Sequence, residues 1–289
     1  MGADRHDIVV RSIGDTRDTL CSIKRTLTHL SQRTKGDAMN PTYHWKAPEL
    51  LEKKTPDALG MEYTSVQRLE IRERFTLETG AEEICLVVLE GAVEFQCEGQ
   101  QGQASVKDML YTPRQQTIQL TSDAAVLMAF GAPAHIDAPF AHIRFAEIDQ
   151  HPDTHQIFGN KATNCRRDVW HFIGADFPCS RLMMGMCVGE PGGWTVWPPH
   201  EHAAEREEVY LYFGMGDAFG IQCVYDDMDD PYVVAMVRDG DLISIPRGYH
   251  PNVGCPAGRI SFIYCMVAKT PGQRDFMDLH FQEIYGESF

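Results

Sequence analysis

The stretch ICLVVLEGAVEFQC, residues 84–97, contains two short apolar runs that meet at Glu90-Gly91. Short runs rich in Val, Ile and Phe, separated by a turn residue, are typical of antiparallel β-strands. Similar runs, separated by Gly, Pro and Asp, recur at residues 105–111, 125–130, 181–187, 209–213, 220–225, 232–237 and 242–245. This spacing predicts an all-β fold of the sandwich or barrel type, with short helical segments only near the termini.

Two pairs of segments resemble each other weakly. Glu82-Glu83-Ile84-Cys85-Leu86 is similar to Glu207-Glu208-Val209-Tyr210-Leu211, and residues 108–113 (DMLYTP) are similar to residues 241–246 (DLISIP). Counterparts lie 125 to 133 residues apart, the size of one small β-domain. The sequence therefore predicts two tandem β-barrels of the same type. Their predicted limits are 39–140 and 176–289, with a connection at 141–175 and a polar tail at 1–38.

Composition limits the class of protein. The chain has 289 residues, 43% hydrophobic and 23% charged, which predicts a soluble globular protein. No apolar stretch approaches the roughly 20 residues of a membrane-spanning helix. Because the first twenty residues lack the apolar core of a secretory signal, we expect a cytoplasmic protein.

The net charge of −15 disfavours nucleic-acid partners, and an anionic substrate would need a local basic pocket. The nine scattered cysteines form no CxxC pair and are expected to be reduced.

A group of histidines has the spacing of metal ligands. His200 and His202, in Trp197-Pro198-Pro199-His200-Glu201-His202, would project from the same face of a strand. A carboxylate follows in Glu207-Glu208, and His250 comes later in the segment RGYHP. Three imidazoles and one carboxylate suit zinc, manganese, iron or nickel and leave positions open for a substrate.

Residues 199–213 and 239–250 resemble the two signature motifs of the cupin superfamily, in which HxH, a Glu and a later His converge inside a small barrel. The resemblance implies one divalent metal ion, zinc or manganese, in the second barrel. The first barrel has Leu77-Glu78-Thr79-Gly80 in place of HxH and is expected to carry no metal. Its expected role is to pack against the other barrel or to form a homo-oligomer contact.

The identity of the metal-binding carboxylate stays open between two neighbours. Alternation along a strand puts Glu208, Tyr210 and Tyr212 on one face and Glu207 on the other. The polar face suits a wet cavity and favours Glu208. The commonest cupin spacing, with four residues between HxH and the Glu, favours Glu207.

A narrower resemblance rests on several motifs in both halves. In the first half they are residues 77–80 (LETG) and 85–91 (CLVVLEG), and in the second they are residues 191–194 (PGGW), 198–202 (PPHEH), 219–225 (FGIQCVY), 239–241 (DGD) and 246–251 (PRGYHP). Together these residues resemble the 5-deoxy-glucuronate isomerases of inositol catabolism, which are related to the 4-deoxy-5-ketouronate ketol-isomerases. The short spacing at 203–206 and the segment 166–169 (RRDV) are closer to the second group, and Cys223 stands where the first group tends to have Arg.

The resemblance implies a metal-dependent aldose–ketose isomerase that acts on a deoxy sugar acid, 5-deoxy-glucuronate or alternatively 4-deoxy-5-ketouronate. A cupin oxygenase and a non-catalytic sugar-binding cupin are the alternatives of other classes. Candidate catalytic residues are Tyr210, Tyr249 and Gln222, although tyrosines on strands commonly serve packing. Candidate substrate-binding residues are Arg247, Tyr212 and Arg167, and Arg247 is equally compatible with an exposed turn. Arg167 and Arg274 are weaker candidates than Arg247 for the sugar carboxylate.

Overall fold

The structure, a computed structural model, describes residues 42–286, so the predicted tail at 1–38 lies outside the described residues. The first half of the described chain contains the following strands: β1 (His44–Trp45), β2 (Ser65–Ile71), β3 (Arg74–Glu78), β4 (Glu82–Glu90), β5 (Ala92–Cys97), β6 (Gln100–Ser105), β7 (Met109–Thr112), β8 (Thr117–Thr121), β9 (Ala125–Pro133) and β10 (Ala141–Ile143). Helical segments are short. They are a 3-10 helix at Ala47–Leu51, α1 (Pro56–Leu59), α2 (Phe145–Gln150) and a 3-10 helix at Glu283–Tyr285.

The second half adds these strands: β11 (His155–Phe158), β12 (Arg167–Ile173), β13 (Leu182–Gly189), β14 (His200–Glu201), β15 (Arg206–Tyr212), β16 (Gly220–Val224), β17 (Val233–Val237), β18 (Leu242–Ile245), β19 (Asn252–Gly254), β20 (Ser261–Ala268) and β21 (His280–Phe281). The all-β prediction is confirmed, but the helical segments are not confined to the termini, because α2 (Phe145–Gln150) lies in the middle of the chain. The hydrogen bonds form separate sheets rather than closed barrels, and the two-barrel description stays a prediction. No helix in residues 42–286 has the length and apolar character needed to cross a membrane.

The first half packs two antiparallel sheets face to face. A five-stranded sheet has the order β10-β7-β4-β9-β2, and a four-stranded sheet has the order β3-β8-β5-β6. Alternate residues of β4, such as Leu86, meet Phe95 and Leu120 of the other sheet in one apolar core. Gly91 makes the turn between the sheets with a φ of 72°. A Cβ at Gly91 would lie 2.2 Å from the Ala124 carbonyl oxygen, which explains why a glycine separates the two apolar runs of residues 84–97.

The second half is built in a similar way around the predicted metal ligands. Its seven-stranded sheet has the order β1-β18-β15-β20-β13-β12-β11, and a three-stranded sheet, β17-β16-β19, packs near it. Tyr210, Phe262 and Val224 belong to the apolar core of this half. The predicted connection at 141–175 contains β10, α2, β11 and β12, which extend both large sheets. The domain limits drawn from the sequence stay a prediction.

The five-stranded and seven-stranded sheets pack against each other through their outer faces. Cys85 and Val87 of β4 and Val209 and Leu211 of β15 share one buried apolar cluster. Because side chains alternate along a strand, each of these central strands is buried on both faces. The two halves of the described chain therefore share a continuous core.

Two buried glutamates, one in each half, accept hydrogen bonds from the main chain of the opposite half. Glu83 accepts hydrogen bonds from the main-chain N–H groups of residues 180–182, at 2.6 to 3.0 Å. Glu207 accepts the N–H groups of residues 62–64, at 2.6 to 2.9 Å, and the hydroxyl of Thr64 at 2.7 Å. Each half thus supplies the acceptor for main-chain donors of the other half.

We expect Glu207→Ala to lower the free energy of unfolding by about 3 kcal/mol or more, because buried N–H donors lose a charged acceptor. Urea denaturation at fixed metal concentration measures the change. Glu78→Ala, on an exposed position of β3, is the matched control. A Glu207→Ala protein as stable as the control would contradict this role.

Candidate metal centre

The three histidines reach one point from two loops beside β15. His200 lies on β14, and His202 follows at a turn in which its carbonyl accepts the N–H groups of Glu205 and Arg206, at 3.1 and 2.9 Å. His250 follows the turn after β18, where Gly248 has a φ of 89°. The turn is fixed by paired main-chain hydrogen bonds between Tyr225 and Tyr249, at 2.8 and 3.0 Å.

The histidine triad, His200, His202 and His250, is buried and compact. One ring nitrogen of each histidine lies within 4.8 Å of those of the other two. Glu208 Oε2 lies 3.2 Å from His202 Nε2 and 3.3 Å from His250 Nε2. The structure thus brings together all four residues of the predicted ligand set, with Glu208 as the carboxylate beside the triad.

Main-chain carbonyls orient the three imidazoles. Nδ1 of His200 donates to the Pro198 carbonyl at 3.2 Å, Nδ1 of His202 to the Arg206 carbonyl at 3.3 Å, and Nδ1 of His250 to the Gly248 carbonyl at 2.8 Å. A proton on Nδ1 leaves Nε2 with its lone pair free for a metal. His250 Nε2 is buried and has no hydrogen-bond partner among residues 42–286, which fits a nitrogen that binds a metal ion.

Burial sets the charge state of the group. Burial, together with the neighbouring imidazoles of His250 and His202, lowers the pKa of His200 well below its ordinary value. Burial also lowers the pKa of His202. For Glu208, burial raises the pKa, but the close contacts of its carboxylate with the rings of His202 and His250 outweigh burial and hold the pKa well below its usual range. Neutral imidazoles beside an ionised carboxylate are the protonation states that metal binding requires.

Glu207, the alternative carboxylate, lies on the opposite face of β15. Its two oxygens accept the hydrogen bonds from residues 62–64 described above, on the side of the five-stranded sheet. Side-chain alternation therefore separates a carboxylate beside the triad from a carboxylate in the contact between the halves.

A narrow cavity, open to solvent at one side, lies beside the triad. Its polar side chains come from several strands and loops, and the rest of its wall is largely apolar. The lining residues are Phe158, Arg167, Val169, Cys187, Thr195, Val196, His200, His202, Glu208, Tyr210, Phe262, Tyr264, Met266, Phe276 and Leu279. A concave apolar site with a few convergent polar groups is typical of a small-molecule site.

Two of the predicted substrate or catalytic residues line this cavity. Arg167 is 4% exposed, donates from Nη1 to the Cys165 carbonyl at 3.1 Å and has its guanidinium 5.7 Å from the centre of the Phe158 ring. Burial lowers the pKa of Arg167, yet a guanidinium keeps its charge near neutral pH. Burial and the charge of Glu208 raise the pKa of Tyr210, so its hydroxyl stays protonated.

Tyr212 and Gln222 lie behind His250, outside the residues that line the cavity. The Tyr212 hydroxyl donates to Gln222 Oε1 at 2.5 Å. Gln222 Nε2 donates to the carbonyls of Cys223 and His250, both at 2.8 Å. This arrangement fits a group that holds the main chain of His250 in place.

The remaining predicted residues lie elsewhere. Arg247 is exposed, with Nε 3.3 Å from Asp226 Oδ2, and Tyr249 packs its ring 5.8 Å from that of Tyr225. Arg274 donates to main-chain carbonyls, including those of Gly174 and Leu182 at 3.0 and 3.1 Å. The structure does not bring these three side chains to the cavity.

Several lining residues were missed by sequence reasoning. Tyr264, Phe276 and Leu279 belong to segments that carry no motif, and they reach the cavity only through strand pairing and through the chain that follows β20. Alternation along β20 was the available signal for Tyr264, but it does not say which face meets the cavity.

Strand pairing also shows where the first half differs. Met109 pairs with Val87 in the first half, and Leu242 pairs with Leu211 in the second, so β4 and β15 occupy equivalent positions. In this alignment Glu83 is the counterpart of Glu207. Ile84 is the counterpart of Glu208. The sequence similarity had matched Glu82 with Glu207, one residue away. An apolar Ile84 where the second half has its carboxylate is consistent with a metal site in the second half alone.

Comparison with known proteins gives one matching family and several relatives. The model of the KduI/IolB family matches residues 43–284. The 4-deoxy-L-threo-5-hexosulose-uronate ketol-isomerase 2 of Rhizobium meliloti (strain 1021) is 27% identical over 190 residues, 64% of this chain and 64% of the relative, just under two thirds of its length. The 5-deoxy-glucuronate isomerase of Geobacillus kaustophilus (strain HTA426) is 26% identical over 226 residues, 71% of this chain and 79% of the relative.

Solved structures share the fold. An IolB-like protein from Salmonella typhimurium LT2 superposes with a TM-score of 0.71 at 18% identity, covering 84% of this chain and 98% of the other. A variant of oxalate decarboxylase from Bacillus subtilis has a TM-score of 0.57 at 12% identity, covering 92% of this chain and 86% of the other. At these identities the likeness concerns the fold alone.

Proposed function

The chain belongs to the KduI/IolB family, and from this premise we propose that it is a metal-dependent isomerase of a deoxy sugar acid. The proposed substrate is 5-deoxy-glucuronate, with 4-deoxy-5-ketouronate as the alternative, because relatives named for each reaction have nearly the same identity to this chain. The observation that carries the proposal is a compact histidine triad beside a cavity that His200, His202, Glu208 and the buried Arg167 line.

His200, His202, Glu208 and His250 would hold one divalent ion, which we propose to be zinc or manganese. The neutral imidazoles of His200 and His202, the single carboxylate and the buried Nε2 of His250 support this assignment. When bound, such an ion supplies Lewis-acid polarisation of oxygens on adjacent carbons.

The other residues of the cavity bind and orient the substrate. Arg167 offers a planar cation that suits the carboxylate of a uronate, and the apolar wall strengthens this attraction by excluding water. Tyr210 keeps its proton and donates a hydrogen bond toward Glu208 or a substrate oxygen. Gln222 positions His250 through its main chain. Together these groups hold a sugar acid with its carboxylate at Arg167 and its reacting carbons near the triad.

We expect the zinc- or manganese-loaded protein to interconvert the aldose and ketose forms of 5-deoxy-glucuronate, followed by NMR. Parallel incubation with 4-deoxy-5-ketouronate distinguishes the two substrates, and protein treated with a chelator is the control for the metal. Conversion of neither compound by the metal-loaded protein would contradict the isomerase assignment.

A further inference from the structure

One row of paired residues crosses the seven-stranded sheet beneath the cavity. Tyr210 of β15 pairs with Tyr264 of β20, Tyr264 pairs with Gly185 of β13, and Gly185 pairs with His171 of β12. Paired residues on neighbouring strands share one face of a sheet. Since Tyr210 and Tyr264 line the cavity, the row lies on the cavity side of the sheet.

Gly185 allows the two ends of this row to meet. The Tyr264 side chain lies across β13, and a Cβ at Gly185 would be 2.2 Å from its hydroxyl oxygen. With no side chain in the way, the Tyr264 hydroxyl reaches Nδ1 of His171 at 2.7 Å, two strands away. The glycine thus makes room for one specific tyrosine–histidine hydrogen bond.

The surroundings favour the uncharged forms of both residues when no substrate is reacting. The Phe276 ring, which also lines the cavity, packs edge-on against His171 with ring centres 4.9 Å apart and lies 6.1 Å from the Tyr264 ring. Burial lowers the pKa of His171 to about 4 and raises the pKa of Tyr264 well above its ordinary value. An imidazole whose Nδ1 accepts the tyrosine hydrogen bond can take the tyrosine proton while Tyr264 takes one from another group, and it can return that proton afterwards.

We propose that Tyr264 and His171 carry the hydroxyl proton of the substrate from one oxygen to the oxygen on the adjacent carbon. The proposal rests on the isomerase function proposed above. Of the two residues, Tyr264 would touch the substrate, and His171 acts through Tyr264.

The transfer balances within the pair and the substrate. The substrate hydroxyl gives its proton to Tyr264 Oη while Tyr264 gives its own proton to His171 Nδ1, which becomes an imidazolium ion. As the former carbonyl becomes a hydroxyl, its oxygen takes a proton from Tyr264 Oη and His171 Nδ1 returns one to the tyrosine. The carbon-bound proton moves separately, through another group of the cavity. No oxidant or further reactant is needed.

The test compares conversion with exchange of the carbon-bound proton in deuterated water. If the oxygen-to-oxygen transfer is lost, the enediol form returns to substrate after exchanging its carbon proton, so exchange continues while conversion falls. We expect Tyr264→Phe and His171→Asn to lower kcat about 100-fold. We also expect both variants to raise the ratio of exchange to conversion at least about tenfold, with unchanged metal content.

His171→Asn separates catalysis from structure, because an asparagine oxygen near the position of Nδ1 can still accept the tyrosine hydrogen bond but does not carry a proton. Tyr285→Phe, which removes a hydroxyl 3.5 Å from the Met228 sulfur outside the cavity, is the matched control. A fully active His171→Asn protein, or an unchanged ratio of exchange to conversion in both variants, would overturn the inference. Wild-type protein that catalyses neither exchange nor conversion would overturn the proposed function and this inference with it.

Discussion

Replacing His202 with alanine is expected to remove the bound metal and to lower kcat/KM by about 1,000-fold or more. His202 is 4% exposed, its Nε2 lies 3.2 Å from Glu208 Oε2, and its ring centre lies 5.2 Å from that of His250. Loss of this imidazole removes one of the four proposed ligands and leaves two histidines and Glu208 to hold the ion.

Metal content of the purified variant, measured by mass spectrometry, and conversion measured by NMR test this expectation together. His151→Ala, which removes a histidine whose side chain is 62% exposed, is the control for the loss of any imidazole. A His202→Ala protein with a full complement of metal and undiminished turnover would show that the ligand set is wrong.

Replacing Arg167 with methionine is expected to raise KM for the sugar acid about 100-fold, with a much smaller change in kcat. Methionine keeps most of the apolar volume against Phe158 and removes the charge. A charge-assisted hydrogen bond to a carboxylate contributes about 1.5–3 kcal/mol, and a bidentate pair contributes more. Steady-state kinetics across a wide range of substrate concentrations measures the change.

The effect should depend on the carboxylate of the substrate. An analogue in which this group is reduced to an alcohol should bind wild-type protein and Arg167→Met about equally. Arg259→Met, at a half-exposed arginine beside Glu190, is the matched control. Equal losses for the acid and the alcohol would show that Arg167 acts through packing and not through its charge.

Local spacing singled out the four candidate metal ligands because each signal lies within a few residues. His200 and His202 are two positions apart, Glu208 is six positions further on, and the turn before His250 is visible in its Gly and Pro residues. The choice between Glu207 and Glu208 could not be settled in this way. The face that Glu207 takes depends on main-chain donors at residues 62–64, which lie more than 140 positions away in the sequence.

Proximity in sequence to His250 favoured Arg247 over Arg167 as the arginine that binds the sugar carboxylate. Arg247 is three residues from His250, but the intervening turn directs it to Asp226 at the surface. Arg167 is far from the triad in sequence and reaches the cavity because β12 lies two strands from β20. The same dependence on strand register hid the Tyr264–His171 pair, since only the pairing with Gly185 aligns the two residues.

The reciprocal glutamates affect how the protein can be made on a ribosome. When Glu207 is synthesised, its partners at residues 62–64 already exist, whereas Glu83 precedes its partners at residues 180–182 by about a hundred residues. A nascent chain that carries only the first half therefore holds a carboxylate and an apolar sheet face that are completed by later residues. We expect this half to need a chaperone, or the rest of the chain, before it becomes stable.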